Sequence, residues 1–127
     1  MTMHNDELQQ RVEQYFAAVD RKDLGQVLSF FTQDARFTIA TYDTTFRGRD
    51  SEISGMFERL FGRYDTIHHG NFDHVISGPA RIACRFEVRN ERWGSPIIHK
   101  NNCNFFKFLG RDFDEVFVYM SGDNALA

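Results

Sequence analysis

Apolar residues recur every three to four positions near the start of the chain. Leu8, Val12, Tyr15, Phe16 and Val19 form one stripe between about residues 5 and 21, and Leu24, Val27, Leu28 and Phe31 form a shorter one. This spacing predicts two consecutive amphipathic helices, the second capped by Asp23. The period then drops to two in ARFTIAT, where Phe37 and Ile39 alternate with Arg36 and Thr38, and TTFRG reads as a short return strand. After Gly48 the helical stripe returns through Ile53, Met56, Phe57, Leu60 and Phe61. Asp50 or Ser51 can cap this third helix, and Gly62 ends it.

From residue 65 onward the pattern is all strand. In DTIHHGNFDH, strict alternation groups His68 with Phe72, His74 and Ile76 on the more apolar face, and His69 with Asn71 and Asp73 on the other. RIACRFEVRNER sets Ile82, Cys84, Phe86 and Val88 against Arg81, Arg85, Glu87 and Arg89, one covered and one wetter face of an antiparallel sheet. IIHKNNCNFFKFL puts Asn102, Asn104, Phe106 and Phe108 on one face, and DFDEVFVYMS closes the pattern after the turn GRD. Three N-terminal helices followed by a strongly bent meander predict an α+β arrangement, a curved sheet that wraps around the helices and is open at one end.

Length and composition sharpen this. A chain of 127 residues makes one domain that buries a core without disulfides or metals. Fourteen phenylalanines against one tryptophan suit a lined cavity as well as a solid core. A net charge of −3 argues against nucleic acid or an anionic membrane as partner, since both need a basic excess. The sequence shows no basic segment followed by an apolar run at its start, and no run near the ~18 apolar residues of a membrane span. A soluble cytoplasmic protein is expected, with Cys84 and Cys103 as two free thiols.

Over residues 8–126 the chain resembles the nuclear transport factor 2-like superfamily, the cone shared by ketosteroid isomerase, scytalone dehydratase and the SnoaL-like polyketide cyclases. The stretches that carry the likeness are VEQYFAAVDRKDLGQVLSFFTQDA, FRGRDSEISGMF and NNCNFFKFLGRDFDEVFVYMSGDNAL. The resemblance implies a single SnoaL-like domain over residues 1–127. It places Tyr15, with Ala17, Ala18, Asp23 and Leu24 in register, where ketosteroid isomerase has an oxyanion donor. It also puts Ile39 where that enzyme has its general base, and Ile39 accepts no proton, so steroid isomerisation by that route is not expected. Likeness to scytalone dehydratase assigns His68 as the acid or base, Asp20 as a pocket carboxylate and Asn102 as a substrate-holding amide. That enzyme's tyrosines are replaced here by Val19 and Ile39, and its second histidine by Cys84 or by nothing.

The residues themselves leave two roles open for Tyr15. Its hydroxyl either satisfies one hydrogen bond in the core or donates into a cavity. Asp20, followed by Arg21 and Lys22, reads more readily as a solvated or salt-bridged residue than as a pocket acid, whereas an amide such as Asn102 on a phenylalanine-rich face needs a partner. A metal site finds no third ligand at a suitable interval from His68 and His69, and a nucleophile finds no G-x-S-x-G turn. The expected site thus has Tyr15, His68 and Asp20 as chemical residues. Ile39, Phe57, Phe61, Phe72, Cys84, Phe86, Asn102, Asn104 and Phe106 are expected to line it, with no cofactor. A small hydrophobic ligand fits such a pocket, for a cofactor-independent isomerase, dehydratase or cyclase or for a binding or assembly module without turnover. The enzyme reading requires Tyr15 and His68 to converge on one point of the cavity. Ala83, Arg85, Glu87, Arg89 and Phe105 on the outer face predict a two-fold homodimer.

Overall fold

The computed structural model describes residues 3–127. Helix α1 (Asn5–Asp20) and the single turn α2 (Leu24–Leu28) lead into β1 (Phe31–Ile39) and β2 (Thr44–Arg47). A π-helical turn, Gly48–Ile53, runs into α3 (Ser54–Arg63), and β3 (Thr66–Ile76), β4 (Arg81–Glu91), β5 (Ile98–Leu109) and β6 (Asp112–Met120) complete the order. One curved sheet has the strand order β2-β1-β6-β5-β4-β3 and does not close. Its β1–β6 pair is parallel and every other pair antiparallel, so the sheet is mixed within the α+β architecture that the pattern predicts.

Two boundaries differ from the expected ones. Asp23 does cap α2, accepting the Gln26 backbone N–H at 3.1 Å, but the helix stops at Leu28 and Phe31 opens β1 instead. Phe31 lies opposite Phe113 across the parallel pair, and tertiary packing outweighs its helical spacing. Neither Asp50 nor Ser51 caps the third helix. Ser51 Oγ donates back to the Arg47 carbonyl at 3.1 Å, and Glu52 takes the Arg47 N–H at 2.8 Å, so a wide turn precedes α3. Gly48 permits it with φ +87°, where a Cβ would lie 2.5 Å from Ser51 Oγ.

The core lies between the concave face of the sheet and the helices. The Tyr15 ring sits at its centre, its centroid 4.9–6.3 Å from those of Phe16, Phe30, Phe31, Phe57, Phe106 and Phe113. Five of these six pairs are edge-to-face, the arrangement that aromatic quadrupoles favour, each worth about 0.5–1.5 kcal/mol beyond burial. The expected alternation of β4 holds, with Ile82, Cys84, Phe86 and Val88 buried.

In β3 the alternation breaks, and the break decides which histidine faces inward. The register with β4 shifts between Gly70 and Asp73, where Asn71 adopts φ +54°. One extra residue resets the phase. Upstream, Ile67 and His69 face the core; downstream, Phe72, His74 and Ile76 do. His68, expected beside Phe72, is on the outer face with its side chain 63% exposed. A β-branched side chain at position 71 meets a left-handed backbone that Asn tolerates and Val does not. Asn71→Val is expected to destabilise the fold by about 1–2 kcal/mol in urea denaturation. Asn71→Gly, free of that strain, should cost less; equal losses in both variants would contradict this reading of the bulge.

Candidate functional site

Helix α1 and strand β3 are joined by two acid–histidine pairs. Glu13 and Asp20 are seven residues apart, two helical turns, and therefore share one face of α1. Glu13 Oε2 pairs with His74 Nε2 at 2.9 Å. Asp20 grips His69 twice: Oδ2 accepts its backbone N–H at 3.0 Å, and Oδ1 meets ring Nδ1 at 2.6 Å. Because an ionised carboxylate only accepts hydrogen bonds, Nδ1 carries a proton in this pair, and in the neutral ring Nε2 then holds the lone pair. The imidazole is wedged between Phe16 and Phe86, with centroids 4.7 and 5.6 Å away, and its side chain is only 11% exposed.

The other face of this assembly is a cavity of about 50 Å³. Tyr15, Phe16 and Val19 of α1, Phe57 and Leu60 of α3, and Phe37 of β1 form its apolar side. Inward residues of the sheet add His69, Phe86, Val88, Asn90, Lys100, Asn102 and Asn104. Ala125 and Leu126, beyond β6, complete the wall and are the only lining residues outside helices and strands. Arg63 donates to the carbonyls of Ala125 and Ala127 at 2.5 and 2.6 Å and so holds that segment in place.

Tyr15 packs as a core residue and also lines the cavity. Its ring is packed on nearly all sides, yet the residue borders the cavity, and its hydroxyl has no hydrogen-bond partner among the described residues. Burial, helped by the Asp20 charge, raises its phenol well above the ordinary range, so it stays a neutral donor. Asn90, Asn102 and Asn104 each have an Oδ1 that is buried without a partner. All three residues line the cavity, and the NH2 group of each amide remains a potential donor. An orphaned carbonyl costs about 1–3 kcal/mol, so three on one wall call for an explanation.

Of the expected residues, Tyr15, Phe57, Phe86, Asn102 and Asn104 border this cavity. Ile39, Cys84 and Phe106 are buried elsewhere in the core, and Phe61 and Phe72 are half-buried behind the wall. Asp20 reaches the site through His69, and His68 stays outside, its ring 3.9 Å from Asp20. The required convergence of Tyr15 with His68 therefore fails, and His69 occupies the place expected for it. His69, Asn90 and Lys100 are the polar residues that the pattern did not single out. Asn90 continues the buried alternation of β4, and Lys100 that of β5, so period two could have found both. The thiol of Cys84 is pushed up to about 12 by burial, which leaves it unreactive. Among the described residues no cluster of three or more His, Cys, Asp or Glu could hold a metal ion, and no helix is long and apolar enough to cross a membrane.

Comparison with known proteins agrees with this architecture. AusH from Aspergillus nidulans superposes with a TM-score of 0.80 at 14% identity, over 97% of this chain and 90% of that one. A candidate SnoaL-like polyketide cyclase from Shewanella denitrificans gives 0.77 at 17% identity, over 93% and 92% of the two chains. A protein of ketosteroid isomerase-like fold from Catenulispora acidiphila, solved in complex with trimethylamine, gives 0.76 at 16% identity, over 86% and 83%. No protein of curated function matches the sequence. The model of the SnoaL-like domain matches residues 12–117, and the chain belongs to that family.

Proposed function

We propose that the cavity binds a small, largely apolar carbonyl compound and moves a proton on it without a cofactor. The observation that carries this reading is the Asp20–His69 pair in the cavity wall, where Asp20 takes Nδ1 and Nε2 has no partner among the described residues. His69 Nε2 would take the proton from the carbon next to the carbonyl. The C–H electron pair moves into a C=C bond, and the carbonyl π pair becomes an enolate oxygen. Tyr15, kept neutral by burial, and the Asn102 amide supply donors for that charge where little water competes. Asp20 is a positioning residue: it fixes the tautomer and stabilises the imidazolium formed. Return of the proton to another carbon is isomerisation, loss of a β-hydroxyl is dehydration, and attack on a second carbonyl is aldol cyclisation. All three share this first step.

The size of the cavity supports a small ligand. About 50 Å³ is several times the ~10–15 Å³ that one water needs, room for a ligand of a few heavy atoms. The Catenulispora protein was solved in complex with trimethylamine, a molecule of four heavy atoms, which supports a ligand of this size for the fold. The rival reading, a ligand-binding or assembly module without turnover, is favoured by the apolar outer face described below. Hydrogen–deuterium exchange at the α-carbon of cyclopentanone and 2-butanone in D2O, followed by NMR, separates the two. The enzyme reading expects exchange above the buffer rate, lowered about 10²–10⁴-fold by His69→Gln. Tyr15→Phe should slow exchange yet leave the melting temperature nearly unchanged, because no protein partner loses a bond. Binding of the ketones without exchange, or exchange indifferent to His69→Gln, would return the protein to the binding class.

The same outer face supports assembly as a two-fold homodimer. Val75, Ala83, Phe105 and Phe117 lie in one register row across β3, β4, β5 and β6. Val75 is 66% and Phe105 44% exposed. On one side the row is bordered by Asp73 and Arg85, on the other by Arg81, Lys107 and Glu115, a mixed pattern that complements itself about a two-fold axis. Light scattering is expected to give twice the 14.9 kDa of one chain at micromolar concentration; the mass of one chain would contradict the dimer.

A further inference from the structure

Lys100 is 4% exposed and borders the cavity, yet its partners are neutral. Its ammonium donates to the carbonyls of Ser121, at 2.7 Å, and Asp123. An ammonium has three N–H donors, so one is unclaimed. No carboxylate forms an ion pair with it among the described residues. Burial accordingly lowers its proton affinity, and the nearby Asp123 charge offsets this only in part. A buried charge without a counter-ion is costly, and a cavity that keeps one is suited to an anion.

The surroundings point the same way. Lys100 and Asn102 are successive inward residues of β5, and Asn90 is diagonal to Lys100 across the β4–β5 pair. The amide NH2 groups of Asn90 and Asn102 and the Tyr15 hydroxyl are all donors, while His69 Nε2 is the acceptor. The polar end of the cavity is therefore rich in donors and carries a positive charge, and the opposite end is aromatic.

We propose that the ligand carries a carboxylate, bound by Lys100 with help from Asn90 and Asn102 while its apolar body packs against Phe16, Phe57 and Phe86. This rests on the reading of the cavity as a ligand site and narrows its substrates to small carbonyl-bearing acids. Lys100 sets specificity; it does not move the proton.

Isobutyrate and isobutyramide have nearly the same shape and differ in charge, so they test the proposal in the unaltered protein. Titrations followed through the side-chain amide signals of Asn102 and Asn104 should show isobutyrate binding at least about tenfold tighter. Lys100→Met should abolish that preference. Because Lys100 also fastens the segment after β6, Arg63→Gln serves as the control: it loosens the same segment, leaves the charge in place, and should keep the preference. Equal binding of acid and amide would overturn the carboxylate proposal and leave the cavity reading standing. Failure of both to bind would overturn both. Tighter binding of trimethylammonium than of isobutyrate, or loss of the preference in Arg63→Gln as well, would also overturn it.

Discussion

The two-point grip of Asp20 on His69 is the interaction on which the rest of the site depends. It fastens the last turn of α1 to the start of the edge strand β3, and it does so at the backbone and the side chain together. A helix laid on a sheet can slide or roll by small amounts, but a carboxylate held by two donors from one residue cannot. The second pair, Glu13 with His74, fixes the same helix two turns earlier. Between the two pairs runs a continuous pile of rings, His69, Phe16, Phe72 and His74, with successive centroids 4.7, 5.4 and 6.0 Å apart. The register bulge at Gly70–Asn71 makes this possible, since an unbroken strand would turn one of the two histidines outward.

With α1 fixed, β5 reads as a gradient along the cavity. Its inward residues run Lys100, Asn102, Asn104, Phe106, Phe108, from charge through amides to aromatic rings. Tyr15 stands where the gradient changes, which resolves why the position is not a sixth phenylalanine in that cluster of edge-to-face contacts. The ring does the packing and the hydroxyl belongs to the polar half. Catalysis of the proposed kind needs both: a dry wall to strengthen each dipole, and a few donors already aimed before charge develops.

The fold was largely legible in the sequence because burial on one face of a helix or strand leaves a strong period. The α1 stripe and the even-numbered residues of β4 and β5 are the clearest cases. What period could not reveal was any place where the backbone departs from regularity. Phe31 kept a helical spacing by coincidence and was drawn into β1 by Phe113, a residue 82 positions away. The wide turn before α3 depends on Glu52 and Ser51 bonding back to Arg47, not on an end cap. The choice between His68 and His69 turned on the dipeptide Gly70–Asn71, two residues tolerant of left-handed backbone, in the middle of a strand. That pair signals a bulge, and counting through it without a break put the wrong histidine in the site. The family likeness narrowed the fold far more than the chemistry, because one cone accommodates many reactions.

The central claim is that His69 presents a bare Nε2 to the cavity because Asp20 holds its Nδ1 proton. Long-range ¹H–¹⁵N correlation spectra of the histidine rings test it directly, since the two neutral tautomers have distinct patterns. At a pH where the ring is neutral, His69 is expected to show a protonated Nδ1 and an unprotonated Nε2, and Asp20→Asn should disturb that pattern at His69 while leaving His74 unchanged. A His69 ring protonated at Nε2 in the unaltered protein would leave the cavity without a base and contradict the account.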